Sequence, residues 1–129
     1  MTEGVARMRA ADRVADALGM EVLECGSGRA AVRMRIGPDM VNGHAIAHGG
    51  YVFLLADTAF AYACNSYGPV TVAAGADITF IAPATEGDLL DATAREVTRF
   101  GRSGLYDVTV RRGDQLIAEF RGRSRTVGA

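Results

Sequence analysis

The 129-residue sequence predicts an α+β fold in which a curved antiparallel sheet wraps around one long central helix, with another helix leading in at the N-terminus. Three observations carry this expectation. Residues 49–67 form a helical run that is apolar on nearly every side, which suits a helix enclosed by other elements. A strand-like run precedes it. Four further runs with strand character follow in succession, separated by glycine-containing breaks.

Taken in order, Val5, Met8, Ala11, Val14, Ala15 and Leu18 recur at helical spacing, and Gly19 supplies a stop, so one amphipathic helix is expected there. From Arg29 the period changes to two, with Val32, Met34 and Ile36 on one side and Arg33 and Arg35 on the other. Gly37-Pro38-Asp39 ends that strand, and a polar loop leads into the long helix. Residues 70–82 are rich in Val, Ile and Thr, and residues 89–97 alternate Leu90, Ala92 and Ala94 with Asp91, Thr93 and Arg95. Tyr106, Val108 and Val110 alternate with Asp107, Thr109 and Arg111, and Leu116, Ala118 and Phe120 alternate with Glu119 and Arg121. Gly87-Asp88, residues 101–104 and Gly113-Asp114 mark the turns. The expected result is one strand, the helix, then an antiparallel meander of four strands with one polar face, all within a single domain spanning residues 1–129.

Composition narrows the function classes. Apolar residues make up 49% and the net charge is −1, so no basic field for nucleic acid is present, and small molecules or other copies of the chain are the expected partners. Cys25 and Cys64 belong to no CxxC or Cys/His spacing, so neither a disulfide framework nor a zinc site is indicated and a reducing cytoplasm is expected. Residues 1–19 carry acids and bases throughout and show no secretion signal. Residues 45–64 approach a membrane span in length, but His48, a glycine pair and the central Asp57 favour a core helix and no membrane association.

Asp57 is the informative residue. It sits alone in the most apolar stretch of the chain, residues 51–64, where an ionised acid has a task or a dedicated partner. Just upstream lie Asn42-Gly43-His44 and His48-Gly49-Gly50.

The run Met40-Val41-Asn42-Gly43-His44, then His48-Gly49-Gly50, then residues 55–66 (LADTAFAYACNS) strongly resembles the hotdog-fold thioesterases of the phenylacetate-degradation (PaaI) type. Residues 101–108 and the ending Phe120-Arg121-Gly122-Arg123-Ser124 are also similar to that family, so the likeness covers nearly the whole chain. The resemblance implies hydrolysis of an acyl-CoA thioester, typically an aryl-acetyl one such as phenylacetyl- or hydroxyphenylacetyl-CoA, by a homotetramer built as a dimer of dimers with active sites at the dimer interface. It implies a catalytic acid at Asp57, a backbone N–H from Gly49 on the thioester oxygen, and assistance from Asn42. No cofactor is implied, because CoA belongs to the substrate. Ala45 and Ala47 depart from the Gly and Cys expected at those positions, and Gly75-Ala76-Asp77 is an unusual approach to the strand after the helix, which leaves the acyl preference open.

Helix geometry adds an argument of its own. Gly49 and Asp57 are eight residues apart, so about 12 Å of helix separates them at ~1.5 Å per residue. One thioester carbonyl cannot touch both groups on the same helix. Two copies with antiparallel central helices would bring Gly49 of one to Asp57 of the other.

Each residue also has a plainer use. Gly49 and Gly50 either present the positive helix end to a developing oxyanion or make a tight entry into the helix. Asp57 either serves as general base or nucleophile, or pairs inside the core. Thr58 either orients water or bonds back to a helix carbonyl. Asn42 is a site residue or an Asn-Gly turn, and His48 supports the site or orients its loop. His44 and His48 lack a third ligand, so no metal is expected. Cys64 reads as packing. Arg102-Ser103-Gly104 could hold CoA phosphates or merely connect a hairpin, and Arg121, Arg123 and Arg125 could meet phosphates or line a solvated edge. Two rival functions use the same residues. One is a hotdog dehydratase or hydratase of 3-hydroxyacyl thioesters working through His44 and Asp57, and the other is a non-catalytic acyl-CoA binding module.

Overall fold

Helix α3 (Gly49–Asn65) packs against all six strands of an antiparallel sheet in the computed structural model, which describes residues 1–128. Its start and end are both fixed by side chains. His48 has extended backbone (φ −61°, ψ 133°) and its Nδ1 accepts the Gly50 N–H at 3.0 Å, capping the first turn. At the other end, Asn65 Nδ2 donates to the carbonyls of Ala61 (2.8 Å) and Thr71 (2.9 Å), while Asn65 Oδ1 accepts the Thr71 N–H at 2.9 Å. The helix is thereby tied to the strand that follows it.

The strands are β1 (Glu21–Gly26), β2 (Arg29–Arg35), β3 (Thr71–Phe80), β4 (Leu89–Phe100), β5 (Ser103–Arg112) and β6 (Gln115–Thr126), ordered β1-β2-β4-β5-β6-β3. Ala30, Val32 and Met34 of β2, Leu90, Ala92 and Ala94 of β4, and Val108 and Val110 of β5 are fully buried toward α3, as their alternation predicts. Phe60 on the helix meets Tyr106 and Phe120 with ring centroids 5.7 and 5.8 Å apart. Burying each such side chain stabilises by about 1.5–3 kcal/mol.

Four expectations need correction. The N-terminal helix is two helices, α1 (Glu3–Ala11) and α2 (Arg13–Ala17). Asp12 breaks the run with ψ 86° because its Oδ1 accepts the Ala15 N–H at 3.0 Å and starts a new helix. The break turns Val14, expected on the packed face, out to solvent. Second, β1 was not anticipated. It is an edge strand carrying Glu21 and Glu24, and a bulge between Val22 and Glu24 destroys its alternation.

Third, the four later strands are not one meander. Tight turns at Gly101-Arg102 and Gly113-Asp114 join β4, β5 and β6 in sequence, but the longer 81–88 connection carries the chain away from β3, which pairs with β6 and ends the sheet. Fourth, the sheet does not bury α3 on every side. Gly50, Leu54, Asp57, Ala61 and Asn65, three or four residues apart, form a stripe that the chain leaves exposed or only half-buried. Among the described residues no helix is long and apolar enough to cross a membrane.

The Phe120-Arg121-Gly122-Arg123-Ser124 ending has a packing reason. A Cβ at Gly122 would lie 2.7 Å from three atoms of the Phe60 ring, which is buried and cannot retreat. Gly122→Ala is therefore expected to destabilise by about 1–3 kcal/mol through overpacking. Urea unfolding of the variant checks this, and an unchanged midpoint would show that Phe60 is free to move.

Candidate active site

The loop before α3 is organised by Asn42. Its Oδ1 accepts the N–H groups of His44 (2.9 Å) and Ile46 (3.4 Å), and its own N–H donates to the Ile46 carbonyl at 2.8 Å. This forces Ala45 into the left-handed region at φ 62°, a conformation costing an L-residue roughly 1–2 kcal/mol relative to the right-handed one. Glycine would take it freely, so the departure at Ala45 carries strain. The loop is pinned by His48 N–H to the Met40 carbonyl and Ala47 N–H to the Ala84 carbonyl, both at 2.7 Å. Gly49 is thus held in place at the first turn of α3. The Gly50 N–H is taken by His48, whereas among the described residues nothing accepts the Gly49 N–H.

Gly49 and Asn42 line one cavity of about 520 Å³, together with Val52, Phe80 and the 81–84 segment. Phe80 is a participant that sequence reasoning missed. Its ring stands where a Gly49 Cβ would be, 2.9 Å from the ideal position, although half of Phe80 is open to solvent. The adjacent apolar pair Phe80-Ile81 at the end of an otherwise mixed strand was the available signal.

Asp57 lines a different cavity, of about 550 Å³. Its neighbours there include Phe60, Ala61 and Cys64 of α3, Val70 and Val72 at the start of β3, and Gly4, Arg7 and Met8 of α1. No hydrogen bond or ion pair reaches the Asp57 carboxylate among the described residues, and burial alone raises its pKa. Other acids differ. The Arg121 guanidinium, bonded at 2.7 Å, holds Asp107 below the usual range, and the Thr85 N–H together with Arg112 does the same for Asp88. Asp57 is an acid without a cation.

The remaining residues fall into place around these two cavities. The Thr58 hydroxyl donates to the Leu54 carbonyl at 2.7 Å. His44 is exposed and lines neither of the two cavities, whereas Gly49 and Asp57 each line one, so the geometry gives His44 no dehydratase role. Cys64 is buried, and its thiol is pushed up to about 12 chiefly by burial, so no thiolate is at hand. Arg102 and Ser103 line a small polar recess of about 60 Å³ at the β4–β5 turn. Gly104 is needed there for packing, since a Cβ would lie 2.8 Å from Ser124 Oγ. Arg121 and Arg123 are engaged with Asp107 and Asp77 on the sheet surface.

Comparison with known proteins gives a consistent picture. The model of the thioesterase superfamily matches residues 44–119. The acyl-coenzyme A thioesterase PaaI of Escherichia coli is 43% identical over 118 residues, covering 91% of this chain and 84% of that protein. The solved structure of the Escherichia coli PaaI protein from the phenylacetic acid degradation operon superposes with a TM-score of 0.95 at 40% identity, over 98% of this chain and 93% of that one. A phenylacetic acid degradation protein PaaI from Thermus thermophilus, solved as a point mutant, has a TM-score of 0.87 at 35% identity, over 90% of this chain and all of that one.

The raised pKa of Asp57 has a consequence for stability. Folding penalises the ionised form, so the penalty is absent below the unfolded-state pKa and complete above the folded one. Asp57→Asn is expected to raise the thermal midpoint at neutral pH, with the gain over wild type disappearing in acid. A lower midpoint at neutral pH would mean that the carboxylate has a stabilising partner.

Proposed function

The chain belongs to the thioesterase superfamily as a hotdog protein of the PaaI type, and from that premise we propose that it hydrolyses acyl-CoA thioesters, with aryl-acetyl groups such as phenylacetyl or hydroxyphenylacetyl as the preferred acyl part. The acyl-CoA reading rests on the activity named for the Escherichia coli relative, and the aryl preference on the operon from which that relative comes. The observation that carries the mechanism is the separation of Gly49 and Asp57 into two cavities spaced along one helix.

A working site then needs two copies. With their α3 helices antiparallel, the Gly49 cavity of one copy faces the Asp57 cavity of the other, and a two-fold axis makes two such sites. The exposed and half-buried stripe of α3 supports this pairing. So does β3, an edge strand with exposed Val72 and Phe80 flanked by exposed Val70 and Ile81, the kind of surface that a second chain covers. A dimer of such dimers is the proposed assembly, and the two free cysteines fit a cytoplasmic setting.

In this site the thioester carbonyl oxygen accepts the free Gly49 N–H at the positive end of α3. His48 and Asn42 keep that donor in position through the cap and the loop. Asp57 of the facing copy takes a proton from water as the hydroxide attacks the carbonyl carbon, the oxyanion collapses, and the carbon–sulfur bond breaks. The proton passes to the departing thiolate, giving free acid and CoA. The same geometry also permits direct attack by Asp57, with water hydrolysing the resulting anhydride.

Two measurements test this. Asp57→Asn is expected to fold, since burial penalises the charge it removes, and to lose about 10²–10⁴-fold in kcat on phenylacetyl-CoA. Near wild-type turnover would eliminate the acid as the principal catalyst. In the wild type, kcat/KM should fall as pH drops through the pKa of Asp57, and the midpoint of that acid limb should lie above the ordinary carboxylate range because burial disfavours the charge. An acid limb at or below that range would assign it to another group.

A further inference from the structure

The cavity that holds Asp57 has three sides of different construction. One is α3 itself, through Phe60, Ala61 and Cys64, and a second is the start of β3, through Val70 and Val72. Both belong to the body of helix and sheet, with Val70 and Val72 on its solvent-exposed edge. The third is α1, through Gly4, Arg7 and Met8, a separate helix that reaches the core through Val5. A nine-residue helix is marginal alone, so its position depends on what fastens it.

Two fastenings are visible, one at each end. Near the start, Val5 is fully buried and Gly4 lies so close to Gly68 that a Cβ there would be 3.0 Å from the Gly68 carbonyl oxygen. Past the end, Tyr62 donates its hydroxyl to Asp12 Oδ2 at 3.0 Å, while Asp12 Oδ1 caps α2. Tyr62 is buried and sits five residues beyond Asp57 on the same helix. Met8 therefore stands between two clamps, one of them anchored on the helix that carries the acid.

The chemistry of the lining says which part of a thioester enters. Apart from Asp57, its charged member is Arg7, which is exposed and paired with Glu3 at 3.2 Å. A nucleotide bearing several phosphates gains nothing among Met8, Phe60, Val70 and Val72, whereas an uncharged acyl group gains by burial. The volume of about 550 Å³ falls within the ~300–1,000 Å³ usual for small-molecule pockets.

We propose that α1 is the specificity-determining wall of the acyl pocket, with Met8 limiting the size of the acyl group and the Asp12–Tyr62 hydrogen bond positioning that wall against the Asp57 cavity. This rests on the thioesterase reading above. Met8 and Tyr62 touch no reacting atom. Met8 acts on fit, and Tyr62 acts through the helix it holds.

The test uses the full-length protein and thiol release from acetyl-, phenylacetyl- and naphthylacetyl-CoA. Met8→Trp should depress kcat/KM increasingly with acyl size, lowering the phenylacetyl-to-acetyl ratio by about tenfold or more, as expected when a pocket loses the volume of several methylenes. Met8→Ala should move the profile the other way, toward naphthylacetyl-CoA, and it decides the question by itself if the larger variant does not fold. Tyr62→Phe should shift selectivity through KM for the larger substrates more than through kcat, an effect that a loss of stability alone would not produce. Ratios within about twofold of wild type for both folded Met8 variants would overturn the role of the wall while leaving the hydrolase intact. A Tyr62→Phe profile identical to wild type would overturn the positioning role. A wild-type chain that releases no thiol from any of the three would instead overturn the thioesterase reading on which the inference stands.

Discussion

The rise of a helix is the constraint on which this molecule turns. Gly49 begins α3 and Asp57 lies eight residues on, a separation of about 12 Å that no bending of a well-packed helix can close. Everything else around α3 fixes that separation more firmly. His48 caps the first turn, Asn65 ties the last turn to β3, and Phe60 is locked over Gly122. A donor and an acid so rigidly held on one chain can meet at one carbonyl only by coming from two chains. The stripe that the sheet leaves open along α3 is where such a meeting would occur.

The same packing sets the electrostatics. Most acids of the sheet surface sit beside an arginine, as Asp107 does with Arg121 and Asp91 with Arg33. Among the described residues no cation bonds to Asp57, the Arg7 of its cavity being paired with Glu3, and burial alone raises its pKa. A cation beside it would make the acid more comfortable and a weaker base. Leaving it unpaired costs stability and retains basicity, the trade expected of a group kept for proton transfer.

Much of this was legible in the chain. The apolar run bounded by His48-Gly49-Gly50 located α3 to within two residues, and period-two alternation found β2, β4, β5 and β6, because in these elements the local pattern and the buried face coincide. The spacing of Gly49 and Asp57 along a helix is by itself enough for the two-copy argument. What stayed hidden depends on partners distant in sequence. The bond that ties Asp12 to Tyr62 spans fifty residues, and the position of β3 beside β6 follows from no local signal. Strand β1 was masked by its bulge and its glutamates. The α1 side of the Asp57 cavity was invisible for the same reason, since amphipathic spacing shows that a helix packs but not against what.

Complementation tests the shared site most directly. One chain carries Asp57→Asn; the other carries Gly49→Pro, which removes the free N–H at a first-turn position where the extended backbone of His48 suits proline and the half-exposed Phe80 ring has to swing aside from the new Cβ. The two chains are unfolded together, refolded and compared with each refolded alone, with mixed dimers verified by native mass spectrometry. Each mixed dimer holds one site with both groups intact, so two inactive parents should yield a mixture with about a quarter of wild-type activity. A mixture containing mixed dimers yet no more active than its parents would contradict a site built from two chains.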